Sequence, residues 1–216
     1  IDTLLIHSTA AAPTGADIAA DLAAISNVET LELEADDGAN NTAFNVDMDL
    51  VEGVTALLLD ANDVGTANSF TLTDVTATQM GDITVEVAAG GATVVFDAKD
   101  GTGTADAAVV NVTLGSTSGT LTLTDSNNNI ESLTVAVTGT VDQTIAITNG
   151  DFTGSTTADA TLTISGGASG RDMTITGNLS SDTVDLSGVA SDVAVALATG
   201  IDHTITTGGG DDVITM

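Results

Sequence analysis

Short segments in which aliphatic residues alternate with polar ones, most often Thr, recur along nearly the whole chain, each cut off by Gly, Asp, Asn or Ser. Thr30-Leu31-Glu32-Leu33-Glu34, Ile83-Thr84-Val85-Glu86-Val87, Thr120-Leu121-Thr122-Leu123-Thr124 and Leu133-Thr134-Val135-Ala136-Val137 have this form, as do later runs centred near Ile145, Leu162, Thr174, Val184 and Ala194. A period of two sends alternate side chains to opposite faces of a strand, and β-branched Thr suits the polar face of the pleat. From Met173 onward the strand centres recur about every 9 to 11 residues, down to Ile205 and Ile214, while earlier spacings run from roughly 10 to 17. Such a period with small turns predicts an all-β chain folded as a β-solenoid, a parallel β-helix-like stack of short strands. A β-sandwich shares the spacing and is the alternative. The solenoid is favoured because no Trp or Tyr exists to fill a sandwich centre, because Val, Ile and Leu with Ala and Gly suit thin stacked coils, and because the period tightens toward the C-terminus.

Two segments depart from this pattern. Asp17 to Ile25 puts Ile18, Leu22 and Ile25 on one helical face, after Pro13 and before Ser26-Asn27. A shorter helical turn is expected around 76–80. Residues 1–81 then read as an irregular β subdomain with one short helix, and 82–216 as a regular β-repeat domain. Both ends read as cuts through a longer protein, with targeting information outside this segment.

The charge narrows the function classes. The chain has 31 acidic side chains against 2 basic ones, Lys99 and Arg171, for a net charge of -29. A nucleic acid would be repelled by such a surface. Cysteine is absent, which excludes disulfides and thiolate zinc sites. No apolar run approaches the roughly 20 residues that cross a bilayer as a helix. Disorder would fit the charge but not the 42% of hydrophobic residues. Of the acids, 25 are Asp and 6 are Glu. Asp is short, favours turns and can coordinate a hard cation from a tight loop. Divalent cations, Ca²⁺ foremost, are therefore expected to offset the repulsion. Halophilic or seawater adaptation of the surface is the alternative.

One segment carries a defined motif. Thr207-Gly208-Gly209-Gly210-Asp211-Asp212-Val213-Ile214-Thr215 resembles the calcium nonapeptide of RTX proteins, Gly-Gly-x-Gly-x-Asp-x-U-x with U aliphatic. Gly208, Gly210, Asp212 and Ile214 match, and Thr207 replaces the first Gly. In the preceding nine residues only Ile205 keeps its place, and His203 stands where Asp is expected. The glycines permit the tight turn, Asp supplies the carboxylate and the aliphatic residue points inward. A plain Gly-Asp turn is the alternative. The Thr-rich strands, the Asp-Gly turns and the phrase Val28-Glu29-Thr30-Leu31-Glu32-Leu33 are similar to RTX-type bacterial surface-layer and adhesin proteins. That resemblance implies a β-roll beginning at the C-terminus, metal ligation by Gly208, Gly210, Asp211 and Asp212, secretion by a type I route, an extracellular location at the cell surface and calcium-dependent folding. It also implies self-association into a lattice or filament, with cell-surface lipopolysaccharide as a candidate anchor.

Three further acidic turns are candidate calcium sites. Asp125, Asn127, Asn129 and Glu131 alternate oxygens like the first half of an EF-hand loop, but without its central Gly, its distal Glu or its helices. Asp60, Asn62 and Asp63 follow the apolar run Leu57-Leu58-Leu59. Asp97 and Asp100 flank Lys99, which could pair with either. For each, a simple Asx turn is the competing reading, and for Asp36-Asp37-Gly38 a turn is the better one. Asp47 and Asp49 are expected on one strand face, solvated. His7 and His203 lie far apart and form no zinc motif.

No catalytic signature appears. There is no Gly-x-Ser-x-Gly elbow, no helix follows the Gly166-Gly170 stretch to make a phosphate cradle, and the aromatic platforms that stack on sugars are missing. The chain is expected not to be an enzyme. The function expected is a structural component of a calcium-bridged surface layer. The stalk of a secreted RTX adhesin, or the calcium-binding tail of a secreted hydrolase, are the alternatives.

Overall fold

The computed structural model describes residues 1–8, 26–35, 43–51, 53–62, 68–88, 90–100, 106–114, 119–127, 130–148 and 160–216. The helix expected over 17–25 lies outside these. In chain order the strands are β1 (Thr3–Ser8), β2 (Thr30–Ala35), β3 (Ala43–Asp47), β4 (Ala56–Ala61), β5 (Asn68–Val75), β6 (Ile83–Val87), β7 (Ala92–Ala98), β8 (Ala107–Leu114) and β9 (Thr120–Asp125). They continue as β10 (Ser132–Thr138), β11 (Gln143–Thr148), β12 (Thr161–Gly166), β13 (Asp172–Leu179), β14 (Thr183–Val189), β15 (Asp192–Leu197), β16 (Thr204–Thr206) and β17 (Val213–Thr215). Sheet A has the order β1-β2-β4-β6-β8-β10-β12-β14-β16, and sheet B runs β17-β15-β13-β11-β9-β7-β5-β3. From β2 onward, successive strands alternate between the sheets, and each pairs in parallel with the strand one coil away. This is a β-solenoid, not the antiparallel sandwich.

The alternation in sequence produces this stack directly. In β6 the pattern of burial is buried, half-buried, buried, half-buried, buried, with Ile83, Val85 and Val87 inside. Parallel register then lines like residues up. Leu31, Leu57, Ile83, Val110, Val135 and Ile164 form one inner row of sheet A. Phe44, Phe70, Val94, Leu123 and Ile147 form a matching row of sheet B. The rings of Phe44 and Phe70 stack with centroids 5.5 Å apart and planes 2° from parallel. The two rows belong to one hydrophobic core. Because each coil buries its inner face against its neighbours, stability spreads along the stack instead of residing in one bulky centre.

Irregularities have local causes. A single helical turn, α1 (Ala77–Met80), follows β5 where a turn was expected; Thr76 caps it, with the Gln79 side chain bonding back to the Thr76 N–H at 2.9 Å. Asp47 starts a 3-10 turn over Met48–Leu50 by accepting the Asp49 N–H at 3.0 Å. Asp49 is therefore in that turn and not beside Asp47 on a strand face. Besides a slip between Leu72 and Val75, the register slips between Thr163 and Ser165 and between Ile175 and Leu179. Gly166 (φ +97°) and Gly177 (φ +110°) lie at or next to these slips, and a Cβ on either would run into the carbonyl of Val137 or Ile147 on the next coil.

Candidate cation sites and the acidic corners

Several carboxylates have a structural task that their sequence positions do not announce. Glu29, Glu131 and Asp182 each stand one residue before a strand of sheet A. Each accepts the backbone N–H of the equivalent residue one coil earlier: Glu29 from Asp2 at 2.7 Å, Glu131 from Asp106 at 2.8 Å and Asp182 from Ala160 at 3.0 Å. Sheet B uses carboxylate-to-backbone bonds at its own corners in both directions: Asp212 accepts from the Val193 N–H of the preceding coil at 3.1 Å, while Asp142 and Asp192 accept from the Asp172 and Asp211 N–H groups of the following coil at 3.3 and 3.0 Å. These N–H groups sit at the edge of the strand ladders, and a carboxylate is the strongest acceptor a side chain offers them. Part of the acid excess is thus used to fasten coil to coil through neutral backbone donors.

The candidate turns fall on these corners. Asp125 is fully buried at the end of β9. Its two oxygens accept the N–H groups of Asn127 (3.2 Å) and Ile130 (3.0 Å), so it shapes the turn from inside. Glu131 is buried in its corner bond to Asp106. Asn129 and Asp63 lie outside the described residues. Asn127 reaches across to the preceding coil and donates to Asp97 Oδ1, so the structure stacks two of the candidate turns on one another. Asp100 lies in the exposed turn after β7. Asp60 accepts the Asn62 N–H at 2.8 Å, and Asn62 donates to Glu86 Oε2 at 2.6 Å.

Register gathers two acidic groups that single segments could not reveal. On the outer face of sheet A, Glu34, Asp60 and Glu86 stand directly beside one another on β2, β4 and β6. Glu32 is next to them. Partial burial first, and then the charges of Glu34, Asp60 and Glu86, raise its carboxyl above the ordinary 4.5. At the far ends of β3 and β5, Asp47, Asp49 and Asp74 converge until one oxygen of each lies within 4.8 Å of the others. Lys99 bonds to Asp49 there, and that bond, reinforced by the charges of Asp49, Asp74 and Asp47, keeps its ammonium above its ordinary range. A cleft of about 360 Å³ adjoins it, lined in part by Asp49, Thr76, Gln79 and Lys99. An oxygen-only donor set of three carboxylates suits a hard divalent cation, with Lys99 as its built-in competitor. The signal in the sequence was Asp at or near the C-terminal ends of two strands, Asp47 in β3 and Asp74 in β5; it needed the register to become a cluster.

At the C-terminal turn, Gly208 lies against the Val189 carbonyl with no room for a Cβ, and Gly210 adopts φ +99° beside Asp192. Asp192 and Asp212 exchange bonds with each other's turns, through Asp211 N–H and Val193 N–H. The Gly-Gly-Asp-Asp segment therefore docks on the previous coil by reciprocal aspartate-to-backbone bonds. His203, at the degenerate repeat, contacts the Ser181 carbonyl through Nδ1 (2.8 Å) and the Ala198 carbonyl through Nε2 (3.0 Å).

Comparison with protein families, curated proteins and solved structures finds no match to this chain. Among the described residues, no helix is long and apolar enough to cross a membrane.

Proposed function

We propose that this chain is a structural, non-enzymatic element of an extracellular bacterial surface layer, assembling with copies of itself through calcium held at exposed acidic edges. The observation that carries the proposal is the convergence of Asp47, Asp49 and Asp74 on the outside of a rigid solenoid. A cation there lowers the repulsion within one molecule, and an exposed site leaves coordination positions for carboxylates of a second molecule or for water. Calcium would displace Lys99 from Asp49 and supply charge neutralisation; Asp47, Asp49 and Asp74 are the residues that would hold it. The Gly208–Asp212 turn is the second place where calcium is proposed, ligated by Asp211 and Asp212.

The test is sedimentation velocity and electron microscopy of the purified chain in millimolar calcium and in excess EDTA. Ordered arrays or filaments in calcium that disperse in EDTA are expected. An assembly unchanged by EDTA contradicts the proposal. The stack itself supports a second reading, a rigid stalk of a secreted adhesin: nine strands at about 4.8 Å make a rod of roughly 40 Å. Isolated rods in calcium, without arrays, would favour it.

A further inference from the structure

We propose that the outer face of sheet B is the surface on which a second copy of this chain seats, sheet against sheet. This inference rests on the self-assembly reading above and names its lateral contact.

Charge is distributed unevenly over the two sheets. One outward row of sheet B runs from Thr120 through Thr144 and Thr174 to Ala194, and the next passes from Ser69 through Thr122. Neither row contains a charged residue, in a chain of net charge -29. The carboxylates of this sheet stand at the strand ends or one residue inside them, at Asp47, Asp74, Asp97, Asp172 and Asp192, and Asp125, at the end of β9, is buried. Sheet A differs: its outer face carries Glu32 and Asp185 in mid-strand, and near the strand ends Glu34, Asp60 and Glu86 stand side by side on three neighbouring strands. Two copies that meet through sheet A bring like charges together. Two that meet through sheet B keep their carboxylates at the rim, where salt and divalent ions screen them.

Shape and size agree with charge. Small and β-branched side chains let two sheets approach to about 10 Å, and both copies carry the same spacing of about 4.8 Å between strands. Eight strands and two or three outward positions per strand give roughly 500–700 Å² per copy, or about 1,000–1,400 Å² in total. That reaches the lower range of specific interfaces, which suits a contact repeated many times in a lattice.

The test places charge on the face. Thr122→Glu with Thr144→Glu changes two outward positions and leaves every inner row intact; Thr134→Glu with Thr163→Glu does the same on sheet A as control. Both are compared with wild type in calcium by sedimentation velocity, after circular dichroism has shown unchanged β structure. Loss of the assembled fraction for the sheet B variant, with the sheet A variant assembling as wild type, is expected. As a second readout, Thr144→Cys in this cysteine-free chain should cross-link between copies with a short bis-maleimide, and Thr163→Cys should not. A wild type that remains monomeric in calcium overturns both readings. A wild type that assembles while the sheet B variant assembles equally, or Thr144→Cys that fails to cross-link within the assembly, overturns this inference alone.

Discussion

Glu131 and Asp106 hold each other across a coil boundary: the Glu131 carboxylate accepts the Asp106 N–H at 2.8 Å, and the Asp106 carbonyl accepts the Glu131 N–H at 2.9 Å. The same two-way contact joins Glu29 to Asp2, at 2.7 and 3.1 Å. An acid in such a corner is bound to neutral donors, so its charge stabilises the stack locally even though it adds to the net repulsion.

Removing such a corner acceptor leaves a backbone donor without its bond. Glu131→Ala is expected to destabilise the fold by about 2 kcal/mol, and Glu131→Gln, which keeps an acceptor oxygen, by about half that. Urea unfolding of the three proteins checks this; equal midpoints would mean that the corner bond contributes nothing.

Gln143 presents the opposite situation. It lies 2% exposed on the inner side of sheet B, beside Met173 in register, and neither atom of its amide has a partner among the described residues. Gln143→Met keeps the volume and removes the unpaired polar group, so a gain of about 1–2 kcal/mol is expected. A lower urea midpoint for the variant would show that the amide is satisfied in solution, for instance by buried water.

Gly177 has φ +110° and its missing Cβ faces the carbonyl of Ile147. Gly177→Ala meets both the unfavourable backbone conformation and the collision, and is expected to cost upwards of about 2 kcal/mol. Gly170, also at positive φ (+76°) but with open space around it, should lose less on the same change. Thermal unfolding of the pair separates the collision from the conformation.

Glu32 gives the account a pH dependence with a definite sign. Its carboxyl is raised above 4.5, so its contribution to stability is complete below that value and fades as the pH rises through the raised one. At neutral pH the ionised Glu32 opposes folding, beside Glu34, Asp60 and Glu86. Glu32→Gln should therefore melt higher than wild type at pH 7, by about 1–2 °C, and the gap should close near pH 4. A gap that widens on acidification would reverse the assignment.

The stacked coils were legible because aliphatic residues recur at alternate positions from Thr120 onward, most often with Thr between them, and every expected strand there forms. β4 and β7 were harder. Leu57-Leu58-Leu59 and Val94-Val95-Phe96 place apolar residues on the outer face as well, which hides the period of two. The candidate cation cluster was hidden for a different reason. Asp47, Asp49 and Asp74 come from two coils, and only the pairing of Asp47 with Thr73 brings Asp74 beside them. The corner carboxylates escaped because a residue before a strand looks the same whether it binds a metal, a backbone N–H or water. Asp125 shows the difference: its place in an Asn-rich acidic turn suggested a calcium ligand or an Asx turn, and its position in line with buried Phe96 puts it inside, where it accepts backbone N–H groups.

Bound calcium is proposed to add stability to what the backbone corners supply. Calorimetric melting of one preparation, stripped with chelator and then titrated with calcium, addresses it most directly. Binding to the folded state alone raises stability by RT ln(1 + [Ca²⁺]/Kd), so the melting temperature should climb steadily with calcium once the site begins to fill, and Asp47→Asn with Asp74→Asn should flatten the rise. Superimposable scans with and without calcium would contradict the claim.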